Sequence, residues 1–169
     1  MGSTLELQLQ LLAPADWQVL RAARLEALSE SPNAFTSSHI RERAWLEPEW
    51  RRLFESATWV IAREAENLIG LAKSVHEPRR PRARHLESIW VAPTHRRRGV
   101  FRALVHHIAE IDHEMGVTDL MLWVLEDNCN AQRAYEALGF EPTGERQFLP
   151  AFGRFERRLT SGIRRLLES

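Results

Sequence analysis

The segment Thr94-His95-Arg96-Arg97-Arg98-Gly99-Val100-Phe101-Arg102-Ala103 sets four arginines around one glycine, just ahead of a helix-like apolar pattern. It reads as a basic turn that feeds a helix N-terminus. Such a terminus carries unpaired backbone N–H groups and the positive end of the helix dipole, and both favour phosphate. Gly99 permits backbone conformations closed to other residues, and Arg96, Arg97, Arg98 and Arg102 supply donors suited to phosphate oxygens. Neither a Walker A pattern nor a G-x-G-x-x-G fingerprint occurs, which speaks against an NTPase or a dinucleotide enzyme. The same residues also fit a solvated basic loop capping the helix. Cys129 is the single cysteine and has no His/Asp pattern around it, so it reads as a packed or idle thiol. His106, Glu110 and His113 share one helix face but read as solvated, and no metal site is expected.

Two stretches resemble motifs of the GNAT-type N-acetyltransferases. Leu86-Glu87-Ser88-Ile89-Trp90-Val91 followed by Arg96-Arg97-Arg98-Gly99-Val100 is similar to that family's acetyl-CoA-binding motif, [Q/R]-x-x-G-x-[G/A], with Arg96 and Gly99 at its first two fixed positions. Phe101 stands where the family prefers a small residue, and it also falls on the expected apolar stripe of the helix. Asn128, Ala131, Tyr135, Gly139 and Phe140 then match the family's N-x-x-A-x-x-x-Y-x-x-x-G-F signature. The two motifs stand in the family's order on the expected element types.

The resemblance implies acetyl-CoA as cosubstrate and no metal. The pantetheine arm is expected along the backbone of Ile89, Trp90 and Val91, much as an added strand would lie. The pyrophosphate is expected on Arg96, Arg97, Arg98, Gly99, Val100 and Phe101, with Arg102 nearby and Asn128 fixing the cosubstrate. Tyr135 is implied as the acid that protonates the departing thiolate, its phenol having an ordinary pKa of about 10; the competing reading is a core aromatic. Glu87 is the candidate general base. Strand alternation places it on one face with Ile89 and Val91, where desolvation would raise a carboxyl above its usual value of about 4.3. The Leu-Glu-x-x-x-Val strand is similar to that of polyamine acetyltransferases, in which a glutamate serves as base. An ion pair with Arg84 or another arginine of the preceding loop is the alternative role for Glu87.

These residues need a scaffold, and the chain predicts one. Leu5, Leu7 and Leu9 alternate as in a strand, Ala15 to Ser29 reads as a helix, and Ser31 to Ser38 as a loop. A second helix is expected over Ile40 to Glu55, broken at Pro48. Thr58 to Arg63 and Leu68 to His76 read as a hairpin. Leu86 to Val91, Gly99 to Met115 and Leu120 to Leu125 form a βαβ unit, the helix carrying a stripe of Phe101, Leu104, Val105, Ile108, Ile111 and Met115. A helix over Asn128 to Leu138 closes at Gly139, and Phe140 to Phe148 and Phe152 to Leu159 read as final strands. The resemblance adds the fold class: α/β (α+β), a mixed, mostly antiparallel twisted sheet of about six or seven strands flanked by about four helices, its two central parallel strands splayed. One domain is expected over residues 1–169.

The chain has 169 residues with 23 basic and 23 acidic side chains. Zero net charge argues against a dedicated nucleic-acid binder, and no apolar run suits a membrane span. No secretory pattern is visible, so a cytoplasmic location is expected. Between Arg79 and Arg102, however, eight arginines face one acid, Glu87, a local charge of +7 balanced by −7 elsewhere. Of the 23 basic residues only Lys73 is lysine. The resemblance places the acceptor pocket at Trp17 to Trp50, including Phe35, and at Gln147 to Gly153. Glu26, Glu30, Glu42, Glu47 and Glu49 in the first of these regions could draw a cationic amine. The expected function is acetyl transfer to a primary amine of a small molecule or peptide in a ternary complex, and a homodimer is compatible with it. The alternatives are a non-catalytic acyl-CoA-binding or interaction module and an RNA-associated acyltransferase.

Overall fold

The computed structural model describes residues 6–35 and 37–169, so Leu5 of the first expected strand and Thr36 of the first loop lie outside the described residues. Seven strands are linked edge to edge in the order β1-β2-β3-β4-β5-β7-β6. They are β1 (Leu7–Leu11), β2 (Ala57–Glu64), β3 (Asn67–His76), β4 (Ala83–Val91), β5 (Asp119–Leu125), β6 (Glu141–Leu149) and β7 (Arg154–Gly162). Among the described residues there are six α-helices: α1 (Trp17–Glu30), α2 (His39–Arg43), α3 (Glu47–Arg52), α4 (Val100–Glu114), α5 (Cys129–Ala137) and α6 (Ile163–Glu168). The chain divides into two compact units. One runs up to Val75 and includes Glu87–Ile108, the other comprises His76–Leu86 and Ala109–Ser169, and β4 passes from the second into the first.

In the first unit, α1 buries Leu20, Ala23, Arg24, Ala27 and Leu28, the three-and-four spacing of one helix face. β2 buries Trp59, Val60, Ile61 and Ala62 in succession, as a strand covered on both faces does. The expected second helix is in fact two short ones. Residues 44–46 separate α2 from α3, and Pro48 sits in the first turn of α3, where its missing N–H costs nothing. Gly70 in β3 lets α4 approach, since a Cβ there would stand 2.9 Å from Leu104 Cδ1 and 3.1 Å from Val100 Cγ1.

The buried face of α4 begins at Val100 and continues through Leu104, Val105 and Ile108. Phe101 is only half-buried and Met115 is exposed, so the expected stripe is corrected at both ends. Val100 rather than Phe101 opens the buried face, and Met115 falls beyond Glu114, where α4 ends.

In the second unit, β5 lies parallel to β4 and antiparallel to β7. The β4–β5 ladder covers only Ala83 to His85 opposite Asp119 to Met121, although β4 continues to Val91. β6 closes the edge against β7. The helix α6, which carries Ile163 and Leu166 inward, has no counterpart in the sequence expectation. It is a single short turn-and-a-half whose apolar pair is too brief to register as a period.

Candidate functional site

The turn after β4 is built as an anion cradle would be. Arg97 has φ 60° and Gly99 φ 82°, left-handed positions two residues apart. Backbone of this kind turns successive N–H groups toward one point. An added Cβ at Gly99 would meet nothing within 4 Å, so the glycine serves backbone conformation and open access. The first helical hydrogen bond of α4 runs from Ala103 N–H to the Gly99 carbonyl at 3.0 Å. The N–H groups of Val100, Phe101 and Arg102 therefore precede the helical ladder.

The four arginines divide into two pairs. Arg96 donates from Nε to the Val91 carbonyl at 3.0 Å and from Nη2 to Glu30 Oε2 at 3.0 Å. Arg98 reaches Glu64 Oε1 at 3.3 Å, beside His95 Nε2, which is 2.9 Å from Glu64 Oε2. Arg97 and Arg102 are exposed. Glu30 also accepts from Trp90 Nε1 at 2.8 Å and from the Ser31 hydroxyl. Partial burial opposes ionisation of Glu30, but these donors and the Arg96 charge together hold its carboxyl below its ordinary value. Arg96 thus ties the turn to β4 and to the end of α1. Glu30 and Glu64, which clamp the turn, were not assigned this work from sequence. Nothing in their spacing links residues 30 and 64 to residue 96.

Glu87 departs from expectation. Ser88 has φ 53°, a left-handed residue inside β4 that interrupts the two-residue alternation, so Glu87 is not aligned with Ile89 and Val91 as a regular strand would have it. Its side chain is 42% exposed, and Oε2 lies 2.7 Å from Lys73 Nζ. The apolar, desolvated setting is therefore replaced by an ion pair. The expected partner, Arg84, instead binds Asp112 Oδ1 at 3.2 Å. Lys73 also stands 5.2 Å from the Trp59 ring centroid. The Ser88 kink is held by Arg24, whose Nη1 donates to Ser88 Oγ at 2.8 Å while Nε and Nη2 fork onto Glu42 at 2.9 and 2.8 Å. Glu42 is buried and neutralised by this fork, Glu47 pairs with Arg51 and Glu49 with Arg52. Of the five acids expected to draw an amine, Glu26 keeps an exposed position and has no such pairing among the described residues.

In the second unit, Asn128 caps α5: its Oδ1 accepts from Ala131 N–H at 3.1 Å. Gln132 Nε2 donates to the carbonyls of Leu125 and Glu126 at 3.0 and 2.8 Å, fixing the helix to the end of β5. Gly139, at φ 101°, ends the helix, and Phe140 folds back so that its ring meets Tyr135 edge-on at 5.6 Å. Burial raises the Tyr135 phenol above its ordinary pKa of 10. Cys129 is exposed and unpaired. Among the described residues no cluster of His, Cys, Asp and Glu could hold a metal ion, and no helix is long and apolar enough to cross a membrane.

The model of the acetyltransferase (GNAT) family matches residues 23–140. Streptothricin acetyltransferase of Streptomyces lavendulae is 42% identical over 55 residues, which are 32% of this chain and 29% of that protein. Human (Homo sapiens) N-acetyltransferase 8 is 26% identical over 144 residues, 81% of this chain and 58% of that protein. The chain thus matches less than two thirds of the length of either relative. A crystal structure of spermidine N-acetyltransferase from Vibrio cholerae in complex with CoA and spermine superposes with a TM-score of 0.69 at 20% identity, covering 95% of this chain and 98% of that one.

Proposed function

The chain belongs to the GNAT acetyltransferase family, and from that premise we propose that it moves an acetyl group from acetyl-CoA to a primary amine of a small molecule or peptide, by direct attack in a ternary complex. The observation that carries this reading is the Arg96–Gly99 turn, where left-handed backbone runs into the start of α4, ahead of its first helical hydrogen bond from Ala103 N–H to the Gly99 carbonyl. The N–H groups of that helix start, with the exposed Arg97 and Arg102, suit a pyrophosphate; Arg96 and Arg98 hold the turn itself. The half-buried Phe101 leaves its own N–H at the helix start, so a large residue there is compatible with the cradle. Ile89, Trp90 and Val91 lie beyond the end of the β4–β5 ladder, which leaves backbone groups for a pantetheine arm to pair with. Asn128 spends its carbonyl oxygen on the cap and keeps its amide N–H groups to donate.

Bound acetyl-CoA supplies the thioester. Glu87 takes the proton from the acceptor ammonium, directly or through water, and the acceptor displaces Lys73 from the carboxylate to reach it. Tyr135 stays protonated at working pH, because burial disfavours its phenolate, and so has a proton to give to the departing sulfur. Amine-acetylating relatives, among them those named for streptothricin and spermidine, support a cationic acceptor. Residues 1–169 act in this proposal as one acetyltransferase domain, in the cytoplasm, consistent with the unpaired Cys129.

Thiol release from acetyl-CoA, screened against pooled primary amines, tests the reading. We expect CoA release with at least one pool. Saturable acetyl-CoA binding with no thiol release across a broad amine panel would overturn it in favour of a non-catalytic acyl-CoA-binding module.

A further inference from the structure

We propose that Lys73 is itself an acetyl acceptor: the protein transfers one acetyl group from acetyl-CoA to Lys73 Nζ, with Glu87 taking the amine's proton. This rests on the acetyl-CoA reading above and on Glu87 as its base. The chain holds 22 arginines and one lysine. A guanidinium stays protonated in proteins and has no lone pair to offer a thioester, whereas an ε-amine attacks once a base has removed its proton. The chain therefore contains a single side-chain amine, and its nitrogen lies 2.7 Å from Oε2 of the candidate base. That is the hydrogen-bond distance a general base needs from the proton it removes. The Trp59 ring, 5.2 Å from Nζ, and the carboxylate together hold the ammonium end in place. The left-handed Ser88, braced by Arg24, sets Glu87 toward this nitrogen just ahead of the Ile89–Val91 backbone.

The step balances without a further reactant. Lys73 ammonium gives one proton to Glu87, and the Nζ lone pair then attacks the thioester carbonyl carbon. The new N–C bond forms, the C–S bond breaks, and CoA leaves as thiolate. The thiolate takes the proton that the amide nitrogen sheds, directly or by way of Tyr135. Glu87 releases its proton to solvent. The product is a neutral amide, so the ion pair with Glu87 and the cation–π contact with Trp59 both end, and the carboxylate is left open to an external ammonium.

The full chain is incubated with acetyl-CoA and no amine, then mapped by peptide mass spectrometry, with the thiol-release panel run on the same preparation. We expect one acetyl group on the peptide carrying Lys73, forming at a rate independent of protein concentration. It is absent from Lys73→Arg and forms roughly 10²-fold more slowly in Glu87→Gln. Urea-unfolded wild-type protein is the control for spontaneous chemistry, and it decides the case even where Glu87→Gln fails to fold. Equal modification of the unfolded chain overturns the inference. CoA release with an amine while Lys73 stays unmodified also overturns it and leaves the acetyltransferase reading standing. Absence of both CoA release and modification overturns the two together.

Discussion

Two carboxylates in the first unit meet cations in different ways, and the difference separates structure from chemistry. Glu42 is buried, 1% exposed, and receives both arms of the Arg24 guanidinium. Arg24 spends its third donor on Ser88 and stacks over Phe35 at 5.2 Å. Removing one partner of such a pair leaves a buried charge unanswered, so Arg24→Met is expected to cost about 3–5 kcal/mol, read by urea unfolding. A loss under about 1 kcal/mol would show that Glu42 finds another donor. Glu87, by contrast, is 42% exposed and meets a single ammonium, that of Lys73. Tyr135 makes a second residue-scale prediction. Tyr135→Phe is expected to lower turnover roughly 10²-fold, the low end of acid–base contributions. Its pH consequence follows from burial. The unfolded phenol ionises near pH 10, while the folded one holds its proton to a higher pH. Above pH 10 the folded state thus binds more protons than the unfolded, and stability falls as pH rises. Thermal melts between neutral and strongly alkaline pH are expected to show a shallower fall in Tyr135→Phe than in the wild type.

At the scale of elements, Gly70 makes the sharpest case. A methyl group there would lie 2.9 Å from Leu104 and 3.1 Å from Val100 on α4, and 3.2 Å from Ala62 on β2. Gly70→Ala is expected to cost about 1–3 kcal/mol by overpacking, measured by thermal unfolding. Because Val100 opens α4, the same variant is expected to raise the KM for acetyl-CoA more than it lowers kcat. An unchanged KM would show that the helix start does not feel its seat on β3. What was legible in the sequence is what local spacing encodes. The α5 motif could be found because most of its members do local structural work: Asn128 caps, Ala131 is capped, Gly139 turns left-handed and Phe140 meets Tyr135. The strand–turn–helix around Arg96–Gly99 was legible for the same reason. The long-range partners were not. Glu30 with Arg96, Lys73 with Glu87 and Arg24 with Ser88 are brought together by tertiary packing over 66, 14 and 64 positions. The Ser88 kink was also hidden, because a left-handed serine carries no sign in a pattern that reads as an ordinary strand.

At the scale of the whole molecule, the neutral total conceals a basic segment on an acidic remainder. Local acids answer part of that segment: Arg84 meets Asp112, Arg96 meets Glu30 and Arg98 meets Glu64. All four arginines of the turn are exposed, but Arg96 and Arg98 are paired with Glu30 and Glu64, so the charge available to an anionic cosubstrate is smaller than the raw sum suggests. This leads to an ionic-strength prediction. Charges exposed to solvent act over about 8–10 Å at physiological salt and much farther when salt is low. The KM for acetyl-CoA is therefore expected to climb as salt is raised toward 0.5 M (about five times the ionic strength at which the screening length is roughly 10 Å). Single Arg97→Ala and Arg102→Ala variants are expected to raise that KM roughly two- to fivefold each, in keeping with exposed ion pairs worth under about 1 kcal/mol. The double variant is expected to show a flatter salt dependence than the wild type, since the charges that salt screens are gone. Arg96→Ala behaves differently in this account, because its guanidinium is committed to Val91 and Glu30. Its effect on KM persists at high salt, where a screened surface charge would no longer matter. If Arg96→Ala instead converges on the wild type as salt rises, its guanidinium acts as a free charge and the clamp it forms is not what holds the turn.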